Sequence, residues 1–377
     1  MDLPSYFAKF LREIRPTDKQ DEDCRTGQTT LRERLMNDEN LKPLLVNTFL
    51  QGSYKRGTAV RPAGDERSDV DVVVVTRIKR SEHPNPDTAM NLFISFLERH
   101  YKGKWQKQGR SLGIELSYVD LDLVVTSAPS EEEEKVYLSK AVASAVSLEE
   151  APDWRLVEAW SPPTERPGGV MLKEALLAGE WQTEPLWIPD REARRWRRTH
   201  PLEQIKWTQG KNARCNGHYV NVVKAVKWWQ RVNHEDDRPK SYPLEHLVGE
   251  CCLDGTPSVA AGVVSALEGM VRNYPMGRKP VLPDRGVPEH DVLARVTAEE
   301  FAEFYDHAQR ATRLARAAFD AKDLKASVDN WRKLFGDKFP PAGDEGGAES
   351  DPKGPFLALG AKSQTGDLTP RKYGMDG

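Results

Sequence analysis

Two aspartates one residue apart, Asp69 and Asp71, open the run Asp69-Val70-Asp71-Val72-Val73-Val74-Val75. In a strand alternate residues share a face, so both carboxylates project to one side and Val70, Val72 and Val74 to the other. Paired carboxylates repel each other and stay ionised together cheaply only beside a cation. Mg²⁺, a hard ion that prefers carboxylate and phosphate oxygens, is the natural partner. Upstream, Leu50-Gln51-Gly52-Ser53 adds a complementary part. Gly52 lets backbone amides approach a phosphate closely, and the Ser53 hydroxyl can donate to it. A third carboxylate is expected from a neighbouring strand, and Val119-Asp120-Leu121-Asp122-Leu123-Val124 offers Asp120 and Asp122 on one face. Three carboxylates around two metals would let one ion activate an attacking hydroxyl while the other neutralises a leaving pyrophosphate. A lone Asp-x-Asp marks a strand end and a lone Gly-Ser a turn; in this order, with a later acidic strand, they point to nucleotidyl transfer.

These residues need strands and helices to hold them. Leu3, Phe7, Phe10, Leu11 and Ile14 recur at helical spacing and stop before Pro16, which predicts an amphipathic N-terminal helix. Thr17 or Asp18 can cap a second helix running toward Leu35. Residues 44–50 read as a strand broken by Gly52-Ser53, and 69–76 as a buried strand. Met90, Leu92, Phe93, Phe96 and Leu97 suggest a helix between Pro86 and Tyr101, and 112–118 and 119–126 are strand-like. Residues 129–190, with acidic 131–134, Pro162-Pro163 and Pro167-Gly168-Gly169, read as a loop-rich insertion. From about Trp196 to Phe335 the pattern is helical, including 217–232 and 300–320. Residues 340–377 carry few large apolar side chains and are expected to form a disordered tail. Strands interleaved with helices point to α/β or α+β over roughly the first half.

The composition narrows the possible partners. The chain has 377 residues, with 55 Lys and Arg against 58 Asp and Glu, a net charge of −3. Such near-neutrality argues against a broad polyanion-binding surface, so neither long DNA nor long RNA is an expected partner. Four cysteines (Cys24, Cys215, Cys251, Cys252) are too few and too scattered for a disulfide framework. No apolar run approaches the ~18 residues of a membrane span. Met1-Asp2-Leu3-Pro4 lacks the basic and apolar regions of a signal peptide, so a cytoplasmic location is expected.

A second cluster lies in the helical half. Lys224 and Lys227, at i and i+3, could offer two ammonium groups to a triphosphate, with the Ser241 hydroxyl and the flat ring of Tyr242 close by for a base. Spacing alone favours reading these lysines as surface charges and Trp228, Trp229 and Tyr242 as core. His246 with Cys251-Cys252 falls short of the four ligands of a closed zinc site. The basic run Arg191-Glu192-Ala193-Arg194-Arg195-Trp196-Arg197-Arg198 reads as a solvated helix face or the lining of a phosphate-rich cleft.

Taken together, Ile14-Arg15-Pro16-Thr17-Asp18, Phe49-Leu50-Gln51-Gly52-Ser53, Asp69-Val70-Asp71, Leu121-Asp122-Leu123-Val124 and Asn216-Gly217-His218-Tyr219 carry a family resemblance. Over about residues 1–338 the chain resembles the polymerase-β-like nucleotidyltransferases. Within them it is similar to the cGAS/DncV-like enzymes (CD-NTases) of bacterial anti-phage CBASS signalling, in the branch that includes cyclic trinucleotide synthases. The resemblance implies a bilobal α+β molecule. Residues 1–195 would form the nucleotidyltransferase core with the N-terminal helices, and 196–339 a helical lobe closing the nucleotide cleft. It implies Asp69, Asp71 and Asp122, rather than Asp120, as the catalytic triad holding two Mg²⁺, with Mn²⁺ a substitute. Gln51, Gly52 and Ser53 would meet the donor phosphates, and Lys227 the triphosphate, with Lys224, Ser241 and Tyr242 nearby. The implied reaction joins ATP, with or without GTP, by successive 3′-hydroxyl attacks on α-phosphates, releasing pyrophosphate and closing a ring. Cyclic AMP-AMP-AMP or AMP-AMP-GMP, a second messenger for a downstream effector, would be the product. A HORMA-type regulator, or ubiquitin-transfer-like conjugation at Gly377, would be the protein partner. Two other readings are a single-nucleotide transferase acting on RNA or a small molecule, and a non-catalytic nucleotide sensor of the same fold.

Overall fold

In a computed structural model, residues 1–130, 184–234 and 238–344 are described. Most of the expected loop-rich insertion, residues 131–183, and the tail from residue 345 lie outside them. The first helix, α1 (Pro4–Ile14), buries Tyr6, Phe7, Phe10, Leu11 and Ile14 and ends at Arg15, before Pro16. Thr17 caps α2 (Asp18–Asn37): its side chain accepts from the Gln20 backbone while the Gln20 side chain accepts from the Thr17 backbone.

Five strands then build a mixed sheet around the carboxylates. They are β1 (Leu45–Gln51), β2 (Asp69–Thr76), β3 (Trp105–Lys107), β4 (Leu112–Glu115) and β5 (Asp120–Val125), in the order β1-β2-β5-β4-β3. Only β2 and β5 run parallel. Short α3 (Gly52–Arg56) follows β1, and α4 (Pro86–Asn91) and α5 (Ile94–Tyr101) follow β2. Val70, Val72 and Val74 pack with Leu31 and Leu35 of α2 and with Met90, Phe93 and Phe96. Val73 and Val75 pack on the opposite face with Phe49, Val124 and Leu202. Covered on both sides, β2 favours a continuous β-branched run.

The structure departs from the sequence reading in several places. The helix expected across 86–101 is two helices, with a turn at residues 92–93 that buries Phe93 and leaves Leu92 exposed. Three-residue β3 has too little alternation to be legible. The basic run is a hairpin, not a helix face: β6 (Leu186–Asp190) pairs antiparallel with β7 (Arg195–Thr199) across the turn at 191–194. Trp196 is buried against the sheet core, and its neighbours Arg195 and Arg197 point the other way, a period of two. Arg191 fastens this hairpin by donating to Asp87 Oδ1 (2.8 Å) and to the carbonyls of Lys107 and Gln108.

In the second half, helical structure starts at Pro201, after β7, rather than at Trp196. The helices are α6 (Pro201–Arg214), α7 (Tyr219–Asn233), α8 (Ser241–Cys251), α9 (Val259–Asn273), α10 (Ala298–Asp320) and α11 (Leu324–Phe335). Helix α7 is central and buries nearly every residue from Tyr219 to Gln230. The chain-order grouping of α1 with residues 1–195 is not how it packs. Its aromatic stripe enters the helical half, with Phe7 edge-on to Trp331 (5.0 Å) and Phe10 stacked on Phe335 (4.5 Å). No helix among the described residues is long and apolar enough to cross a membrane.

Candidate active site

Asp69 opens β2, Asp71 follows on the same face, and Asp122 lies opposite Asp71 on parallel β5. One carboxylate oxygen from each lies within 4.8 Å of the others. Asp120 stands opposite Asp69 but outside this group, and Arg67 Nε donates to its Oδ1 at 2.8 Å. Register and this ion pair separate two aspartates that share a strand face.

The triad resists ionising together. Loss of surrounding water, then the charges of Asp71, Asp122 and Asp120, pushes Asp69 up to about 8. Burial and the Asp71 charge push Asp122 up to about 6, while hydrogen bonds from Ser111 and Gln108 oppose the shift. Burial raises Asp71 as well, opposed by the Arg56 charge and a hydrogen bond from Gln51. Three hard oxygen donors with this much mutual repulsion fit a divalent ion of the Mg²⁺ or Mn²⁺ type.

Gly52 shows how tightly the upstream segment is fitted. It adopts φ +76°, and a Cβ built on it would fall 1.8 Å from Asp71 Oδ2. What reads in the sequence as a turn is the start of α3, with Gly52 supplying a left-handed conformation that disfavours side chains. Gln51 pairs with Asp71 across β1 and β2. Ser53 lines a cleft of about 160 Å³ together with Asp69, Lys227, Arg231 and Ser241.

The second cluster divides. Lys227 reaches the cleft, and its buried ammonium donates to the Thr58 carbonyl (3.0 Å) and to Glu245. Lys224, one turn earlier, is absent from the cleft lining. Burial, with Arg15 and Lys227 adding to it, pushes its ammonium down to about 7. Ser241 lines the cleft as the first residue of α8. Tyr242 is half-buried outside that lining: its hydroxyl donates to Asp284 Oδ2 (2.7 Å), the Arg56 guanidinium lies 5.1 Å from its ring, and His246 meets it edge-on. Trp228 and Trp229 are core, Trp228 donating to the Phe335 carbonyl. Cys251 and Cys252 are free thiols, and among the described residues the aspartate triad is the only grouping of three metal-ligating side chains.

Sequence reading missed Glu245. Its signal was a lone carboxylate among Leu244, Leu247 and Val248, one turn after Ser241. It accepts from Arg56 Nε (3.0 Å), Arg56 Nη2 (3.3 Å), Thr58 Oγ1 (2.8 Å) and Lys227. Against the pull of burial, Arg56 and Lys227 hold it down to about 2.

Comparison with known proteins follows the same geometry. Residues 1–136 match the SMODS family, the Second Messenger Oligonucleotide or Dinucleotide Synthetase domain. The chain is 49% identical over 361 residues to the cyclic AMP-AMP-GMP synthase of Enterobacter hormaechei subsp. hoffmannii (strain UCI 50), covering 92% of this chain and 94% of that protein. The chain belongs to the cGAS/DncV-like nucleotidyltransferases. Two solved CD-NTases have the same fold. E. coli MS115-1 CdnC, in its HORMA-deltaN complex, superposes with TM-score 0.60 at 18% identity, over 90% of this chain and 99% of that one. A point mutant of the Vibrio cholerae di-nucleotide cyclase DncV, in complex with ATP, GTP and 5MTHFGLU2, gives TM-score 0.62 at 11% identity, over 90% of this chain and 97% of that one. Both bear out the expected α+β, polymerase-β-like architecture of a CD-NTase.

Proposed function

We propose that this chain is a cyclic trinucleotide synthase that joins ATP and GTP into a second messenger, with cyclic AMP-AMP-GMP as the product. The observation carrying this reading is the convergence of Asp69, Asp71 and Asp122 beside a cleft lined by Ser53, Lys227 and Ser241. The choice of product is supported by 49% identity to an enzyme named for it.

Asp69 and Asp71 would hold one divalent ion, and Asp122, hydrogen-bonded by Ser111 and Gln108, would complete the site for a second; Mg²⁺ would serve, with Mn²⁺ a substitute. Bound there, the divalent ions supply Lewis acidity to the attacking 3′-hydroxyl and to the leaving pyrophosphate. Gly52 brings the backbone close to the donor phosphates without displacing Asp71, and the Ser53 hydroxyl donates to them. Lys227, in the cleft wall, would meet the same triphosphate from the helical side. The contribution of these residues is in-line placement of two nucleotides, repeated for each bond and again for ring closure. A HORMA-type regulator, or conjugation at Gly377, would control the enzyme in the cytoplasm, and the cyclic product would activate an effector during phage infection.

The test is incubation with labelled ATP, GTP and Mg²⁺, phosphatase treatment, and mass analysis of the resistant product. A resistant species with the mass of cyclic AMP-AMP-GMP is expected. No resistant product, with regulators supplied, overturns the synthase reading; a single transferred nucleotide on RNA or a small molecule would replace it.

A further inference from the structure

Glu245 is a carboxylate only 4% exposed, set where the sheet and helical halves meet. Arg56 and Thr58, which bond it, lie at the end of α3 and just beyond it in the sheet half. Lys227, its other partner, comes from α7 in the helical half. A buried carboxylate persists only when paired and fully hydrogen-bonded, and here two cations and a hydroxyl meet that demand.

Both cations also reach toward the chemistry. Arg56 favours the ionised form of Asp71 and lies over Tyr242. Lys227 lines the cleft with Ser53, Asp69 and Ser241. The Lys227 ammonium donates to the Thr58 carbonyl (3.0 Å) and to Glu245, with the Thr58 hydroxyl at 3.5 Å, so its position at the cleft wall is set by Thr58 and Glu245. A lysine on a flexible four-carbon stem gains direction from two such fixed acceptors.

We propose that Glu245 is a positioning residue for nucleotidyl transfer, holding the Lys227 ammonium at the donor triphosphate and fastening it to Arg56 and Thr58 as one unit across the lobe interface. This rests on the reading of Lys227 as a donor-phosphate group. Glu245 touches no substrate itself; its effect passes through Lys227, Arg56 and the Thr58 segment. Because the node joins α3 to α7 and α8, it ties the Gly52–Arg56 segment and the Lys227 side of the cleft to one geometry.

The test is a double-mutant cycle read by pyrophosphate release with MgATP and GTP on full-length protein, with melting temperature measured in parallel. Lys227→Met and Glu245→Gln are each expected to lower kcat/KM for ATP by about 100-fold. The double variant is expected to match the worse single variant within about threefold, since the second change removes a partner that has already lost its function. Losses that multiply, or a Glu245→Gln enzyme with unchanged kcat/KM while Lys227→Met is impaired, overturn the positioning role alone. A fully active Lys227→Met enzyme overturns the donor reading and this inference with it. Should Glu245→Gln fail to fold, Thr58→Val removes one donor to Glu245 with little change of shape. It should lower kcat/KM several-fold in the wild-type background and not at all beside Lys227→Met; an equal loss in both backgrounds overturns the proposal.

Discussion

Gly52 and Asp71 are in such close contact that a single methyl group does not fit between them: a Cβ at residue 52 would fall 1.8 Å from Asp71 Oδ2. The positive φ of Gly52 adds a backbone cost of roughly 1–2 kcal/mol for any other residue. Gly52→Ala should therefore displace the Asp71 carboxylate. The expected outcome is about a 100-fold loss of pyrophosphate release with a melting temperature only a few degrees lower. An active Gly52→Ala enzyme would show that Asp71 tolerates movement.

Asp120 and Asp122 share a strand face but not an environment. Asp120 is paired with partly exposed Arg67, while Asp122 belongs to the triad. Asp122→Asn should abolish cyclic product, as should Asp69→Ala with Asp71→Ala. Asp120→Asn should keep activity within about threefold, its lost ion pair being weak. Product quantified by mass for the three enzymes checks the assignment.

The triad makes divalent metal and pH act together on stability. Asp69 and Asp122 have folded values of about 8 and about 6 against an ordinary 3.8. Their carboxylates ionise more readily in the unfolded chain, so metal-free protein loses stability as pH rises from about 4 toward 8. A bound cation reverses this penalty and competes with protons for the same oxygens. The rise in melting temperature on adding Mg²⁺ should be larger near pH 8 than at about pH 5.5. Scanning calorimetry at both pH values decides it, and a larger rise at the acid pH would contradict the site.

Glu245 has the opposite sign. Its folded value of about 2 lies below the ordinary 4.5, so its contribution to stability is present above pH 4.5 and is lost as pH falls through about 2. Glu245→Gln leaves Arg56 and Lys227 buried without their carboxylate, at a cost of about 3 kcal/mol near neutral pH. Urea titrations should show the gap between wild type and variant narrowing as the pH is lowered below 4.5. A gap that stays constant with pH would mean the carboxylate charge is not what stabilises this node.

The first helix is expected to be a structural part of the helical half. Phe10 is fully buried and stacked on Phe335 at 4.5 Å. Phe10→Ala should cost about 3–5 kcal/mol, as large aromatic truncations in cores do. Hydrogen exchange should speed up in α11 more than in the five-stranded sheet. Uniform acceleration would place α1 in a core common to both halves.

Local rules carried much of this protein. A period of two put Asp69 and Asp71 on one strand face, and the helical spacing of Phe7, Phe10 and Ile14, with a cap at Thr17 or Asp18, marked the first two helices. Family motifs named Asp122, but the residues alone left Asp120 equal to it. Tertiary structure separated them, through the parallel register of β2 with β5 and the reach of Arg67. It also turned the arginine-rich run into a hairpin, since its strand character rests on Trp196 finding a core built by distant residues. Lys224 and Lys227 looked equivalent on their helix, yet only Lys227 reaches the cleft. Glu245 gained a role only when folding brought Arg56 to it across 189 residues of chain. Periodicity is a property of neighbours in sequence. The pairing of buried charges depends on distances between segments far apart in the chain, and only the packed molecule sets those distances.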